Sequence, residues 1–413
     1  MSQSTVAWPN EGYHRVPFRV FHDPEIYARE QERIFRGPIW NYLGLEAEVP
    51  DPGDFRTTYV GATPVVLTRA EDGRLHAFSN RCAHRGSLVC LEASGKKRDG
   101  FTCVYHAWRF DMEGALRSVA FRRGVRGEGG LPRDFSMADH GLEKLRVDTF
   151  AGIIFGTFSE HTEPLTDWIG ETVGPGLRRL MNRPLRILGY DTQIVHANWK
   201  IYGENIRDTY HGNILHTYFA TFGLSRYSQE NGAIIDPRWL YLHFFQKRGA
   251  EDFTEDYTET ASSLRSVQKD FRLADPSILD WTDEFGDAKT VYVTTLFPPL
   301  MVQQLMHCFA MHQVIPKSPT SCETVYTFFG YADDPPELTQ RRLVQANLIG
   351  AAGLVAAEDG AVCELVGNGT VGCANAASAL EMGGRDLTSG GDTKISDRSL
   401  RNYWNVYRTL MAL

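Results

Sequence analysis

Apolar and polar positions along this chain change their period, and each change marks an architectural boundary. Near the start, Ile26, Tyr27, Ile34 and Phe35 recur at helical spacing behind Asp23 and Pro24, with Gly37 beyond them. That order predicts a helix capped by Asp23, opened by Pro24 and stopped at Gly37. From Trp40 to about Gly156 the pattern becomes short β-rich runs between turn signals. Thr57-Thr58-Tyr59-Val60 and Pro64-Val65-Val66-Leu67-Thr68 are followed by Glu71-Asp72-Gly73 and Leu75-His76-Ala77-Phe78. This reads as a small all-β domain with Gly152 to Phe158 as its last strand and the polar Ser159 to Pro164 as a linker. Beyond it the periods mix: strands over 187–195, 290–297 and 323–331, a helix over 199–219, and a long helix over 336–357 leading to Asp359. The expected class is α+β, an all-β domain followed by a domain of helices on an antiparallel sheet. The expected boundaries are 1–39 for an N-terminal segment packing on the second domain, 40–157 for the β domain and 158–413 for the rest. The polar, Gly-rich stretches 223–290 and 374–397 are read as exposed decoration or as cover for a site.

Composition narrows the functional classes. With 413 residues, 42% of them hydrophobic, the chain can bury a large core. A net charge of −8 argues against nucleic acid as the main partner. No run of about 18 apolar residues suggests a membrane span, and the first residues lack a basic-then-apolar leader, so the expected compartment is the cytoplasm. Seven scattered cysteines suit reduced thiols and metal ligation better than a disulfide framework.

Two constellations carry chemistry. His211 and His216 lie in the predicted helix, five positions apart, and Asp359 can add a carboxylate. Two histidines and one carboxylate leave open positions on ferrous iron, as a working site requires. Asp208, three residues before His211, can orient its imidazole, and Glu204 lies on the same side. In the β domain, Cys82-Ala83-His84 is followed by Cys103-Val104-Tyr105-His106. One cysteine and one histidine from each of two loops suit a two-iron cluster with both thiolates on one iron and both imidazoles on the other; a four-ligand zinc site is the alternative.

Cys82-x-His84-Arg85-Gly86 with Cys103-x2-His106-x-Trp108 resembles the Rieske [2Fe-2S] motif. Glu204-x3-Asp208-x2-His211-x4-His216 resembles the mononuclear-iron motif of ring-hydroxylating oxygenase large subunits. The resemblance extends from Arg15-Val16-Pro17-Phe18 to Glu381-Met382-Gly383-Gly384, and the branch it is most similar to acts on terephthalate, salicylate and anthranilate. It implies a Rieske cluster on Cys82, His84, Cys103 and His106, and Fe(II) on His211, His216 and Asp359. Asp208 would bridge His211 to His106 of a neighbouring subunit in a head-to-tail trimer, with Asn205 near the iron. The implied partners are a small beta subunit in an α3β3 assembly and a ferredoxin or reductase that passes on electrons from NAD(P)H. The implied reaction is cis-dihydroxylation of an aromatic carboxylate by O2, with terephthalate the first expectation; monohydroxylation and ortho-substituted benzoates are the alternatives. Outside that class, an electron carrier or a zinc protein remains to be excluded.

For the substrate, the resemblance points to His312 and Lys394 where relatives have arginines, with Gln303 and Gln304 as further donors. Phe219, Phe222, Leu224, Leu296 and Phe297 are candidate apolar walls. Arg85, Lys96, Lys97, Arg98 and Arg109, around the cluster loops, suggest a docking face for an acidic electron donor.

Overall fold

The computed structural model describes residues 8, 12–238, 241–248, 262–268, 270–373 and 375–413. The chain forms two compact units, one of residues 31–168 and one of residues 1–30 with 169–413.

In the first unit, ten strands follow one another: β1 (Asn41–Leu45), β2 (Asp54–Val60), β3 (Thr63–Arg69), β4 (Leu75–Ser79), β5 (Ser94–Lys96), β6 (Phe101–Thr102), β7 (Arg109–Phe110), β8 (Leu116–Ser118), β9 (Lys144–Phe150) and β10 (Ile153–Thr157). Seven form an antiparallel sheet in the order β1-β10-β9-β4-β3-β2-β5, and β6-β7-β8 form a small second one. Phe55, Val66, Phe78, Phe101, Trp108 and Phe110 make a core that also encloses Cys82 and Cys103. The predicted hairpin of β2 and β3 is present, paired from Phe55–Thr68 to Val60–Thr63.

The second unit is built on another seven-stranded antiparallel sheet. Its strands are β11 (Leu185–Val195), β12 (Asn231–Ile235), β13 (Tyr241–Lys247), β14 (Lys289–Leu296), β15 (Leu300–Leu305), β16 (Cys308–Ser318) and β17 (Ser321–Tyr331), in the order β11-β17-β16-β15-β14-β13-β12. In β16 every residue from Cys308 to Pro316 is buried. A run of that kind belongs to a strand covered on both faces and shows little alternation. Among the described residues of the whole chain, the main helices are α1 (Pro24–Glu30), α2 (Leu165–Leu180), α3 (Trp199–Asn205), α4 (Gly212–Leu215), α5 (Thr217–Phe222), α6 (Pro336–Ile349), α7 (Leu354–Thr370) and α8 (Arg398–Met411).

Three sequence expectations change. The helix expected over 199–219 is three short ones, α3, α4 and α5. The helix expected over 336–357 is broken at Gly350 and Gly353, so Asp359 lies inside α7 and not beyond a helix end. The segment 223–290 holds two sheet strands, β12 and β13; its residues 239–240, 249–261 and 269, and Ala374 of 374–397, lie outside the described residues.

Helix α1 begins as predicted, with Asp23 Oδ1 accepting from the Glu25 (2.8 Å) and Ile26 (3.3 Å) amides. Its last residue, Glu30, is fully buried and joins three elements of the second unit. The carboxylate pairs with Lys200 Nζ at 2.7 Å and accepts from Trp199 Nε1 (2.7 Å) and Tyr407 Oη (2.6 Å). Removing one partner of such a pair strands a buried charge, at a cost of about 3–5 kcal/mol. Glu30→Ala is therefore expected to lower the unfolding temperature sharply, whereas Glu30→Leu combined with Lys200→Met recovers most of the loss. Thermal unfolding by circular dichroism checks this; an unperturbed Glu30→Ala protein would show that the pair does not anchor α1.

Candidate metal centres and substrate cavity

The break in the predicted 199–219 helix creates the first centre. On a continuous helix, side chains five residues apart diverge by about 140° around the axis. Here helix α3 ends at Asn205, and Asp208 Oδ1 accepts from the amides of Tyr210 (2.7 Å) and His211 (3.3 Å). An aspartate that caps its own backbone in this way competes with continued helix. His211 then caps α4, and His216 sits between α4 and α5 in extended backbone, φ −77° and ψ 106°.

Helix α7 brings Asp359 to the same point. Its Oδ1 lies 3.3 Å from His211 Nε2 and 3.4 Å from His216 Nε2, and the three candidate ligand atoms lie within 4.8 Å of one another. Each outward-facing ring nitrogen has its own carboxylate: His211 Nδ1 faces Asp208 Oδ2 at 3.4 Å, and His216 Nδ1 meets Glu358 Oε2 at 3.0 Å. Glu358 also accepts from the Thr217 amide (3.1 Å). Its role was not legible in the sequence, although its place beside Asp359 and a histidine's need for a second partner are a usable signal. Asn205 Nδ2 donates to Asp359 Oδ1 at 3.1 Å. Burial disfavours charge on His211, but Asp208 and Asp359 outweigh it and raise the imidazole to about 10. Burial likewise opposes the Asp359 carboxylate, and His216, His211 and Asn205 together hold it below its usual range. Two Nε2 atoms and a carboxylate oxygen converging on one point fit ferrous iron with open positions. Glu204 stands apart from this group: burial pushes its carboxyl up to about 8, against the Trp404 indole N–H that it accepts.

His211, His216, Asp359, Asp208 and Asn205 border a cavity of about 80 Å³, also lined by Phe219, Phe244, Val293, Gln303, Asn213 and Lys394. Phe222, Phe297, Leu224, Leu296 and His312 are not among its lining residues. Phe222 packs on Tyr218 and Phe271, and Phe297 on Tyr403. His312 stacks on Tyr326 at 4.1 Å, and burial, against a weaker pull from Asp359, lowers it to about 3, so it is uncharged. Lys394 is buried, its Nζ 3.3–3.4 Å from Asn213 Oδ1, Ser225 Oγ and Gln246 Oε1. Burial lowers it to about 7, and no carboxylate pairs with it among the described residues.

The second centre lies wholly in the first unit, on two loops with the same backbone wiring. The Gly86 amide closes on Cys82 O (2.9 Å) and the Ala107 amide on Cys103 O (3.0 Å). Cys82 N donates to Ser87 O, and Cys103 N to Trp108 O, each at 2.8 Å. Both loops turn through left-handed backbone just after the histidine, at Gly86 (φ +75°) and Ala107 (φ +52°). The cysteines are buried in the core and adjoin each other: burial first, then the neighbouring Cys103 thiol, push Cys82 up. The imidazoles face outward, with His84 Nδ1 3.2 Å from His106 Nδ1, and His84 stacks on Trp108 at 5.0 Å. Paired thiols inside and paired Nδ1 atoms outside fit a cluster with one iron on each pair.

Around these loops, three of the five expected docking cations are already paired: Lys96 with Asp51 (3.1 Å), Lys97 with Glu92 (2.9 Å) and Arg109 with Asp99 (3.3 Å).

Asp359→Ala is expected to remove the mononuclear iron while the cluster absorption is unchanged, and Glu358→Ala to weaken that iron roughly 10- to 100-fold. Iron analysis of each variant checks both.

Comparison with known proteins matches the two stretches of chain that hold these centres. The family model of the Rieske [2Fe-2S] domain fits residues 39–126, and that of the ring hydroxylating alpha subunit (catalytic domain) fits residues 181–413. The chain is 43% identical to a terephthalate 1,2-dioxygenase terminal oxygenase component, subunit alpha 2, of Comamonas sp, over 100% of this chain and 99% of the relative. It is 43% identical to the anthranilate 1,2-dioxygenase large subunit of Burkholderia cepacia, over 99% and 96% of the two chains. The salicylate 5-hydroxylase large oxygenase component of Ralstonia sp is 38% identical over 98% and 96%. In fold, the chain is similar to naphthalene 1,2-dioxygenase from Rhodococcus sp. bound to indole, with a TM-score of 0.77 over 96% of this chain and 94% of that one, at 21% identity. A Rieske [2Fe-2S] domain and a His-His-Asp mononuclear iron site in one chain, with relatives along its whole length, place it in a single family: it belongs to the Rieske ring-hydroxylating oxygenases, as an alpha subunit.

Proposed function

We propose that this terminal oxygenase cis-dihydroxylates an aromatic carboxylate. The observation that carries the reading is Lys394, a buried ammonium without a carboxylate partner in the cavity that His211, His216 and Asp359 also border. A buried cation of this kind is costly alone and is stabilised by an anionic ligand. Terephthalate, anthranilate and salicylate, named in the relatives, all belong to that class.

Bound at their sites, the cluster supplies electrons singly and the iron a position for O2 beside the ring. The chain's own residues do the rest. Phe219, Phe244 and Val293 hold the ring and exclude water, so that orientation lowers the barrier. Asn205 and Glu358 hold Asp359 and His216 in place. Asp208 faces His211 Nδ1 and also borders a second cavity of about 830 Å³, lined by Leu264, Val362 and Val366. We propose Asp208 as the link through which an electron from His106 of a neighbouring copy reaches His211. In this reading the chain works in the cytoplasm, in an α3β3 assembly with a small beta subunit, supplied by a ferredoxin or reductase that draws on NAD(P)H. No helix among the described residues is long and apolar enough to cross a membrane. Arg85 and Arg98 keep no carboxylate partner among the described residues, so an acidic donor would meet them first.

The direct test is product analysis with the reconstituted enzyme under 18O2, using aromatic carboxylates and unsubstituted arenes. A cis-diol with two labelled oxygens from a carboxylate supports the reading, and turnover of uncharged arenes alone sinks it. Asp208→Ala is expected to leave both metals bound but nearly abolish coupled turnover; normal product formation would remove its role. Carboxylate binding needs the protonated form of Lys394. Affinity should thus be constant below about pH 7 and fall up to about tenfold per unit above it, the slope disappearing in Lys394→Met. Binding titrations across pH check this.

A further inference from the structure

Taking the aromatic-carboxylate reading as its basis, we infer that Asn213 and Lys394 form one carboxylate clamp, and that Gln303 faces it as a neutral hydrogen-bonding partner. The preferred substrate therefore carries one carboxylate and one uncharged polar substituent, a hydroxyl or an amine, and is not a dicarboxylate.

Among the described residues the Asn213 amide N–H and the Gln303 side chain lack partners and Lys394 lacks a counter-charge, and these groups sit at two ends of the cavity wall. Asn213 is 5% exposed, and its Oδ1 accepts from Ser225 Oγ (2.7 Å) and Lys394 Nζ (3.4 Å). Its Nδ2 is left as a buried donor with no partner. Lys394, beside it, has only long contacts to neutral oxygens, and Gln246, one of them, is held in place by the carbonyls of Arg226 (3.1 Å) and Glu230 (3.2 Å). An unpartnered amide N–H beside an ammonium whose only acceptors are neutral oxygens matches the two oxygens of one carboxylate.

Sheet register sets the distance to the other end. Lys394 Nζ lies 5.5 Å from the Phe244 ring, and Phe244 on β13 pairs with Val293 on β14, which pairs with Gln303 on β15. Directly paired residues point to the same face, and all three line the cavity. Two strand spacings separate Phe244 from Gln303 by about 10 Å. A single ring with a substituent at each end spans a gap of that order.

Gln303 is 7% exposed and makes no side-chain hydrogen bond among the described residues. Its neighbour Gln304 is fully engaged, by Arg179 Nη1 (2.6 Å) and the carbonyls of Lys289 and Met306 (3.1 Å each). An amide offers both a donor and an acceptor, which suits a hydroxyl or amino group. A second carboxylate would meet no cation there: Val291, Met301 and Leu305 complete that wall, and His312 is neutral and outside it. Burying an unpaired carboxylate is heavily penalised.

The experiment is calorimetric titration of the anaerobic iron-loaded enzyme with benzoate, its hydroxy and amino derivatives, and terephthalate. At least one hydroxy- or aminobenzoate is expected to bind tenfold or more tightly than terephthalate. Gln303→Leu should abolish that preference while benzoate still binds. Asn213→Leu should weaken every carboxylate about tenfold at unchanged iron content. Gln303→Arg should tighten terephthalate specifically, a gain that misfolding cannot produce. Terephthalate binding to the wild type as tightly as its best competitor would overturn the single-carboxylate inference. Unchanged affinities in Asn213→Leu would overturn the clamp. Should no carboxylate bind the wild type at all, the aromatic-carboxylate reading itself would fall.

Discussion

A half-buried carboxylate between two imidazoles is the constraint around which the second unit is arranged. Asp359 projects from the interior of α7 into a largely apolar cavity, where an isolated charge could not persist. Convergence with His211 and His216 solves this only if those residues leave helical geometry. The Asp208 turn and the extended backbone at His216 are the local means. Asp208 and Glu358 then hold the outer ring nitrogens, so each histidine presents Nε2 inward. The ligands are thus oriented by partners that do not themselves face the metal position.

The first unit solves the opposite problem. Its thiols belong to the hydrophobic core, next to Phe101, Trp108 and Phe110, while its imidazoles point outward. The matching hydrogen bonds of the two loops give both ligand pairs their depth. One pair is shielded and the other is open to a partner, a division of labour suited to receiving electrons and passing them on.

Within the substrate cavity the balance of charge carries the meaning. Other polar groups beside it are satisfied: Gln304 is tied to Arg179, and Gln246 to the carbonyls of Arg226 and Glu230. Against that background the Asn213 Nδ2 donor, the Gln303 amide and Lys394, which has no counter-charge among the described residues, stand out as places kept for a ligand.

Motif spacing pointed to most members of both candidate ligand sets, because metal coordination demands particular side chains and tolerates few others. Cys82, His84, Cys103 and His106, and His211 with His216, were legible for that reason, as were the capped helix α1 and the β2–β3 hairpin, whose signals are local. Three things depended on tertiary structure. The break between α3 and α4 is set by a side chain bonding its own backbone, which competes with a helical pattern that looks continuous in sequence. Glu358 gains its role only because α7 lies against His216, 142 positions away. The separation of Lys394 from His312 could not be read at all, since both looked equally able to meet a carboxylate. Placement decided between them: both are buried, but Lys394 lies on the cavity wall while His312 lies off it against Tyr326, and such placement is a property of the whole fold.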